Sequence, residues 1–200
     1  MFDSIIAKEG QKYILIAFIA MIIFVLVNCK FLTFISFVMI FFLIYIYRYK
    51  YIDFKSFKKN EIIAPISGTI SAIDVKDLKK SIYIDVSLCD SHILRNLEEG
   101  PCKISIRRGL NLFLSTFKSK VLNEQAKLEY ANSSMHLYSS LYNPSIELPS
   151  NKSLEKGEKI GTFIQGEVIV TLNKEFATLV KIGDKVISGQ SILGKKEENK

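Results

Sequence analysis

Residues 69–88 read TISAIDVKDLKKSIYIDVSL. Two runs within this stretch, Thr69–Val75 and Ser81–Leu88, alternate apolar with polar side chains and lean on isoleucine and valine. A period of two sends alternate side chains to opposite faces of a strand, whereas a helix needs apolar recurrence at three and four residues. The same character returns in Glu61–Ala64, Cys102–Arg107, Glu167–Leu172 and Ala177–Lys181. Between the runs stand turn signals: Ser67-Gly68, Glu99-Gly100-Pro101, Arg108-Gly109, Lys156-Gly157, Gly183-Asp184 and Ser188-Gly189. Residues 61–200 therefore read as one mainly-β domain, barrel-sandwich-like with a minor helical part, and a short helix is expected near Asp90–Leu97. The Ser/Asn/Pro-rich stretch Ser133–Ser153 reads as a loop excursion, and Lys195–Lys200 as a polar tail.

Working back toward the N-terminus, the character changes at about residue 60. Between Tyr13 and Tyr47 the only charged residue is Lys30, in the interruption Asn28-Cys29-Lys30. Two apolar runs, 13–29 and 31–47, flank it; each is about 25 Å as helix, at the short end of what spans a bilayer. Residues 1–60 thus read as a membrane anchor, with a transmembrane helical hairpin as the first expectation. A hairpin puts Lys8, Lys12 and the cluster Arg48, Lys50, Lys55, Lys58 and Lys59 on the cytoplasmic side, as the positive-inside rule prefers. A single tilted helix, which would bury Lys30, and a re-entrant or interfacial hairpin stand beside it. The tyrosines at 45, 47, 49 and 51 suit an interfacial belt. The expected location is the cell membrane, with the β-domain on its cytoplasmic side. A cleavable leader is not expected, because the apolar stretch is too long and no A-x-A site follows.

Of the net charge of +7, most belongs to this anchor, which holds eight basic and three acidic residues; residues 61–200 hold nineteen and seventeen. A basic excess on the most apolar part of a chain points to lipid, not to nucleic acid. The group Lys103, Arg107 and Arg108 lacks the aromatic interleaving of a nucleic-acid face and reads as a solvated edge or a phosphate-headgroup contact. No metal site is expected: Cys29, Cys89, Cys102, His92 and His136 show no ligand spacing. No glycine-rich phosphate loop or G-x-S-x-G elbow is present. His92, beside Asp90 and Arg95 where a strand leads into a turn, reads either as a general base or as a structural hydrogen-bonding histidine. The phrases Ala64–Ile70 and Val180–Gln190 are similar to those of biotinyl and lipoyl carrier domains. They stand about 110 residues apart, however, and Lys174 in Asn173-Lys174-Glu175 lacks a carrier's context. A carrier-like barrel split by an insertion is the reading that follows.

Taken in order, a series of phrases resembles the short-form bacterial phosphatidylserine decarboxylases: Ile5–Gly10 before the apolar hairpin, Ile46-Tyr47-Arg48 after it, Ala64–Gly68, Asp90–Arg95, Arg108–Leu110 to Asn123–Gln125, and Lys156–Gly161 with Val180–Gly189. The resemblance implies a membrane-bound enzyme of phosphatidylethanolamine synthesis. In that family an Asp-His-Ser triad cleaves the precursor at a Gly-Ser pair, and the serine becomes a pyruvoyl group that serves as the electron sink for decarboxylation. Carried over residue by residue, His92 keeps the histidine, Ser67 falls on the aspartate, and Glu167, after Gly166, falls on the pyruvoyl serine. Glycine is followed by serine nowhere in this chain. Glutamate has no hydroxyl for an N→O acyl shift, so no pyruvoyl cofactor is expected here. The resemblance therefore implies either a decarboxylase-family protein of phospholipid synthesis that does not form its cofactor, or a non-catalytic descendant that binds lipid or a partner. Arg95, Arg107 and Arg108 are the candidate headgroup ligands. Membrane phospholipid is the expected partner, with a second copy of the chain or an active relative beside it.

Overall fold

The structure is a computed structural model that describes residues 8–48, 57–58, 60–143, 145–149 and 153–197. The chain divides into two units, Met1–Tyr51 and Ile52–Lys200.

In the first unit, α1 (Lys8–Leu26) and α2 (Lys30–Ile46) pack on each other, joined through Asn28, whose φ of 58° suits an asparagine in the left-handed region. The rings of Tyr13 and Tyr47 stack at 5.9 Å, and the Arg48 guanidinium lies 4.3 Å over the Tyr45 ring. The helical hairpin is present, but the expectation of a transmembrane one is corrected: among the described residues no helix is long and apolar enough to cross a membrane. The reason lies in the boundaries. α2 has 17 residues and rises about 25 Å against a hydrocarbon core of about 30 Å. α1 has 19, but its first turns carry Lys8, Glu9 and Lys12, so its apolar part begins only at Tyr13. Of the expected basic cluster and tyrosine belt, Lys50, Lys55, Lys59, Tyr49 and Tyr51 lie outside the described residues, as do Ile5, Ile6 and Ala7.

The second unit is mainly β. Its elements are β1 (Glu61–Ile63), β2 (Gly68–Lys76), β3 (Lys79–Val86), β4 (Ile93–Arg95), β5 (Gly100–Pro101), β6 (Lys103–Arg107), α3 (Phe117–Leu122), β7 (Gln125–Glu129), β8 (Ser133–Ser139), β9 (Ser153–Leu154), β10 (Lys159–Thr162), β11 (Gly166–Leu172), β12 (Phe176–Thr178), β13 (Lys185–Val186) and β14 (Ile192–Lys196). The main sheet is antiparallel, in the order β13-β2-β3-β11-β8-β7-β6. Around it stand the three-stranded sheet β1-β14-β12 and the pairs β10-β4 and β5-β9.

One face of the main sheet carries the core. Ile70, Ile82, Ile84, Leu128, Met135, Leu137, Val168 and Val170 point inward and are almost wholly buried. Fully burying one such aliphatic side chain contributes about 1.5–3 kcal/mol. The opposite face is half-open. In β8 the side chains alternate between buried Met135 and Leu137 and half-exposed His136 and Tyr138; in β11 between buried Val168 and half-exposed Glu167. β2 and β3 form a hairpin whose turn, Asp77-Leu78, takes positive φ at both residues without a glycine. The stretch Asp90–Leu97 is extended into β4 and is not helical, because Arg95 N–H bonds back to the Pro65 carbonyl and its neighbours pair with β10. Ser133–Ser139 is a central strand rather than the expected loop, and β14 runs to Lys196, into the expected tail.

Candidate functional site

The main-sheet register assembles the site. Gly68 pairs with Val186 on β13, and Val86 on β3 pairs with Gly166 on β11; one step along, Thr69, Asp85, Glu167 and Tyr138 form a row across four strands. Ser67 therefore leads into β2, and Glu167 follows the start of β11, at the same end of the sheet. His92 sits on the connection from β3 to β4, where its carbonyl accepts from Phe163 N–H, 2.9 Å away, three residues before Gly166. Ser188 ties the group together: its Oγ donates to the Ile93 carbonyl at 2.8 Å and the Pro65 carbonyl at 3.2 Å, while its N–H donates to Ser67 Oγ at 2.9 Å.

The three positions marked by the resemblance thus lie on segments that converge, yet each side chain has a distinct engagement. Ser67 is buried and uses its hydroxyl oxygen as an acceptor. His92 is 1% exposed, with Nε2 3.1 Å from the Ser87 carbonyl; a carbonyl only accepts, so this contact places a ring proton on Nε2. Asp90 Oδ2 accepts from Ser87 N–H (2.9 Å) and Oγ (2.8 Å), which fixes the turn before the histidine. Glu167 is half-exposed on the open face and pairs with Lys120 Nζ from α3.

Lys120 is a functional candidate that the sequence alone did not single out. Its ammonium lies 4.6 Å from the Tyr138 ring centroid and 5.8 Å from that of Tyr83, within cation–π range of both. Tyr138 packs on His136 at 4.2 Å, with its hydroxyl 3.0 Å from His136 Nδ1. Burial, followed by the charges of Lys127, Lys120 and Arg107, pushes His136 down from 6.5 to about 4. Burial and the Glu167 carboxylate push the Tyr138 phenol up. The signal that would have revealed this cluster was the alternation of Ser133–Ser139, hidden by its polar composition.

The candidate headgroup ligands separate. Arg95 is 1% exposed and donates Nη1 to the Gly157 carbonyl at 3.0 Å; a side chain so placed meets the interior, not a headgroup at the surface. Arg107 donates to the Val121 carbonyl, and Arg108 pairs with buried Glu124 and donates to the Ile146 carbonyl at 3.0 Å; both stay at the surface. Among the described residues, no three His, Cys, Asp or Glu side chains gather as metal ligands do.

No family model, curated protein or solved structure matches this chain. The site must therefore be interpreted from its own chemistry. That chemistry does not fit a pyruvoyl group. The second residue of β11 carries a carboxylate with no hydroxyl to rearrange, and a lysine ammonium neutralises it. Gly166, just before it, has φ of 145°, and a Cβ there would come within 2.1 Å of the Tyr138 carbonyl, so only glycine fits.

Proposed function

We propose that this protein is a phosphatidylserine-decarboxylase-like protein of phospholipid metabolism that works at a membrane and engages phospholipid without forming a pyruvoyl group. The observation that carries this reading is the Lys120–Glu167 ion pair, which stands where the resemblance places the self-cleaving serine. Self-cleavage needs a hydroxyl activated by a base, and this position offers a compensated carboxylate instead. Removing a triad nucleophile costs about 10⁶ in rate, which leaves no useful turnover.

Membrane association is supported by the helical hairpin, whose apolar side chains are widely exposed within their own unit, with Leu26 at 80% and Phe31 at 72%. A hairpin that dips into one leaflet and returns needs no spanning helix. The test uses the purified full chain with phosphatidylserine vesicles. The proposal expects the chain to float with the vesicles and to release no CO₂. Release of CO₂ with formation of phosphatidylethanolamine would overturn the non-catalytic reading, and failure to float would overturn the membrane reading.

A further inference from the structure

Between β6 and β7 the chain makes a fifteen-residue excursion, residues 109–123 (GLNLFLSTFKSKVLN), that turns apolar side chains outward. Phe117 is 81% exposed and Phe113 61%, and Leu110, Leu122, Leu141 and Tyr142 are exposed near them. Isolated exposed apolar residues are ordinary, but a group that includes two bare phenylalanines marks a contact surface.

The excursion is held in this shape. Asn123 is fully buried; its Oδ1 accepts from Leu112 N–H at 2.8 Å, and its Nδ2 donates to the carbonyls of Leu112 at 2.6 Å and Ser139 at 2.8 Å. Asn111 bonds to the Asn143 carbonyl at 2.7 Å and accepts from Ser139 Oγ at 2.7 Å, which sets Leu141 and Tyr142 beside it. Thr116 caps α3 through a reciprocal box with Ser119, so Phe117, the first helical residue, is fixed facing away from the core. A backbone pinned at both ends cannot fold these side chains back.

The charge around the patch chooses its occupant. Residues 101–123 hold five basic side chains, Lys103, Arg107, Arg108, Lys118 and Lys120. Arg108 pairs with Glu124 and Lys120 with Glu167, and Lys103 stands opposite Glu129 at the other end of β6, so Lys118 and Arg107 supply the positive charge at the patch. Bare aromatics and leucines rimmed by basic residues form the pattern of a surface that dips into the headgroup region of an anionic bilayer. We infer that the 109–123 excursion is a bilayer-insertion loop, with Phe113 and Phe117 entering the interface of an anionic phospholipid membrane while Lys118 and Arg107 meet the phosphates. This rests on the reading that the protein works at a membrane, but it concerns a different surface from the helical hairpin.

The sequence contains no tryptophan, so a single introduced indole reports its own site. Full-length Phe113→Trp, Phe117→Trp and, as a control at the far end of β2, Val75→Trp are mixed with vesicles whose acyl chains carry bromine. The vesicles contain either phosphatidylcholine alone or phosphatidylcholine with phosphatidylglycerol. The expected result is quenching at positions 113 and 117, stronger in the anionic vesicles, with position 75 unquenched. Lys118→Ala in the Phe117→Trp background should lower the docking constant about fivefold, the worth of one basic side chain near an anionic surface. Vesicle-bound chain with positions 113 and 117 as unquenched as 75 would overturn the loop and assign the patch to a protein partner, leaving the membrane reading intact. Equal quenching in neutral vesicles would overturn the anionic specificity. Absence of any chain on the vesicles would overturn both readings.

Discussion

Lys120 and Glu167 are 47 residues apart in sequence and meet as an ion pair on the open face of the main sheet. The lysine comes from a six-residue helix and the glutamate from the second position of a central strand. Asp85 lies directly opposite Glu167 on β3, so without the lysine two like charges would face each other across the strands. Lys120→Met should therefore destabilise the fold by about 1–2 kcal/mol, between the worth of an exposed pair and a buried one. The double variant Lys120→Met/Glu167→Gln should recover most of the loss. Chemical denaturation of the four proteins in the same detergent, read as a double-mutant cycle, checks this.

Gly166→Ala should cost at least about 3 kcal/mol, since alanine meets both a strained φ and the Tyr138 carbonyl. The matching change at Gly183, whose φ is also positive but where an added Cβ meets nothing within 4 Å, should cost less. Thermal unfolding of the two variants side by side distinguishes crowding from backbone strain.

Ser67→Ala leaves the buried Ser188 N–H without its acceptor and should cost about 1–3 kcal/mol. Ser67→Asn, which keeps an oxygen acceptor, should cost less. Denaturation midpoints measure both, and amide exchange at Ser188 reports the bond itself.

His136 gives the fold a pH dependence of known sign. Its folded-state value is pushed down to about 4 against an ordinary 6.5, so between these values the unfolded chain binds the extra proton. Its contribution to stability is complete above about pH 6.5 and is lost as the pH falls toward 4. His136 faces Lys127 on β7, Arg107 on β6, Lys120 on α3 and Tyr138 on its own strand, so Lys127→Gln should raise its pKa. A ring-proton NMR titration of the wild-type and Lys127→Gln proteins checks the direction. His136→Gln should flatten the stability profile across the same window.

Much of this architecture could be read from the chain, and the parts that could not have physical causes. Residues 69–75 and 81–88 declared themselves because alternation of isoleucine with polar residues suits only a half-buried strand, and 167–172 did so through valine and isoleucine. β8 was hidden: Ser133, Ser134 and Ser139 give a loop's composition, while Met135 and Leu137 do the burying. With β8 unread, the His136–Tyr138 pair had no partner strand, and Lys120 had no reason to stand out in a helix of under two turns. The 90–97 stretch, where a short helix is expected, is held extended by pairing with β10 and by the bond to Pro65. The apolar hairpin was plain, but its capacity to span was not, because the charged residues of α1 fall inside the helix. Ser67, His92 and Glu167 were located by resemblance and do lie on converging segments; what each contacts depended on Ser188, Ser87 and Lys120, which only the fold brings near.

The most direct test of the central claim is the intact mass of the purified full chain. If Glu167 cannot be converted to a pyruvoyl cap, the protein runs as one species of 22.8 kDa, however long it is incubated. Two fragments, the smaller beginning near residue 167 with a blocked N-terminus, would contradict the account.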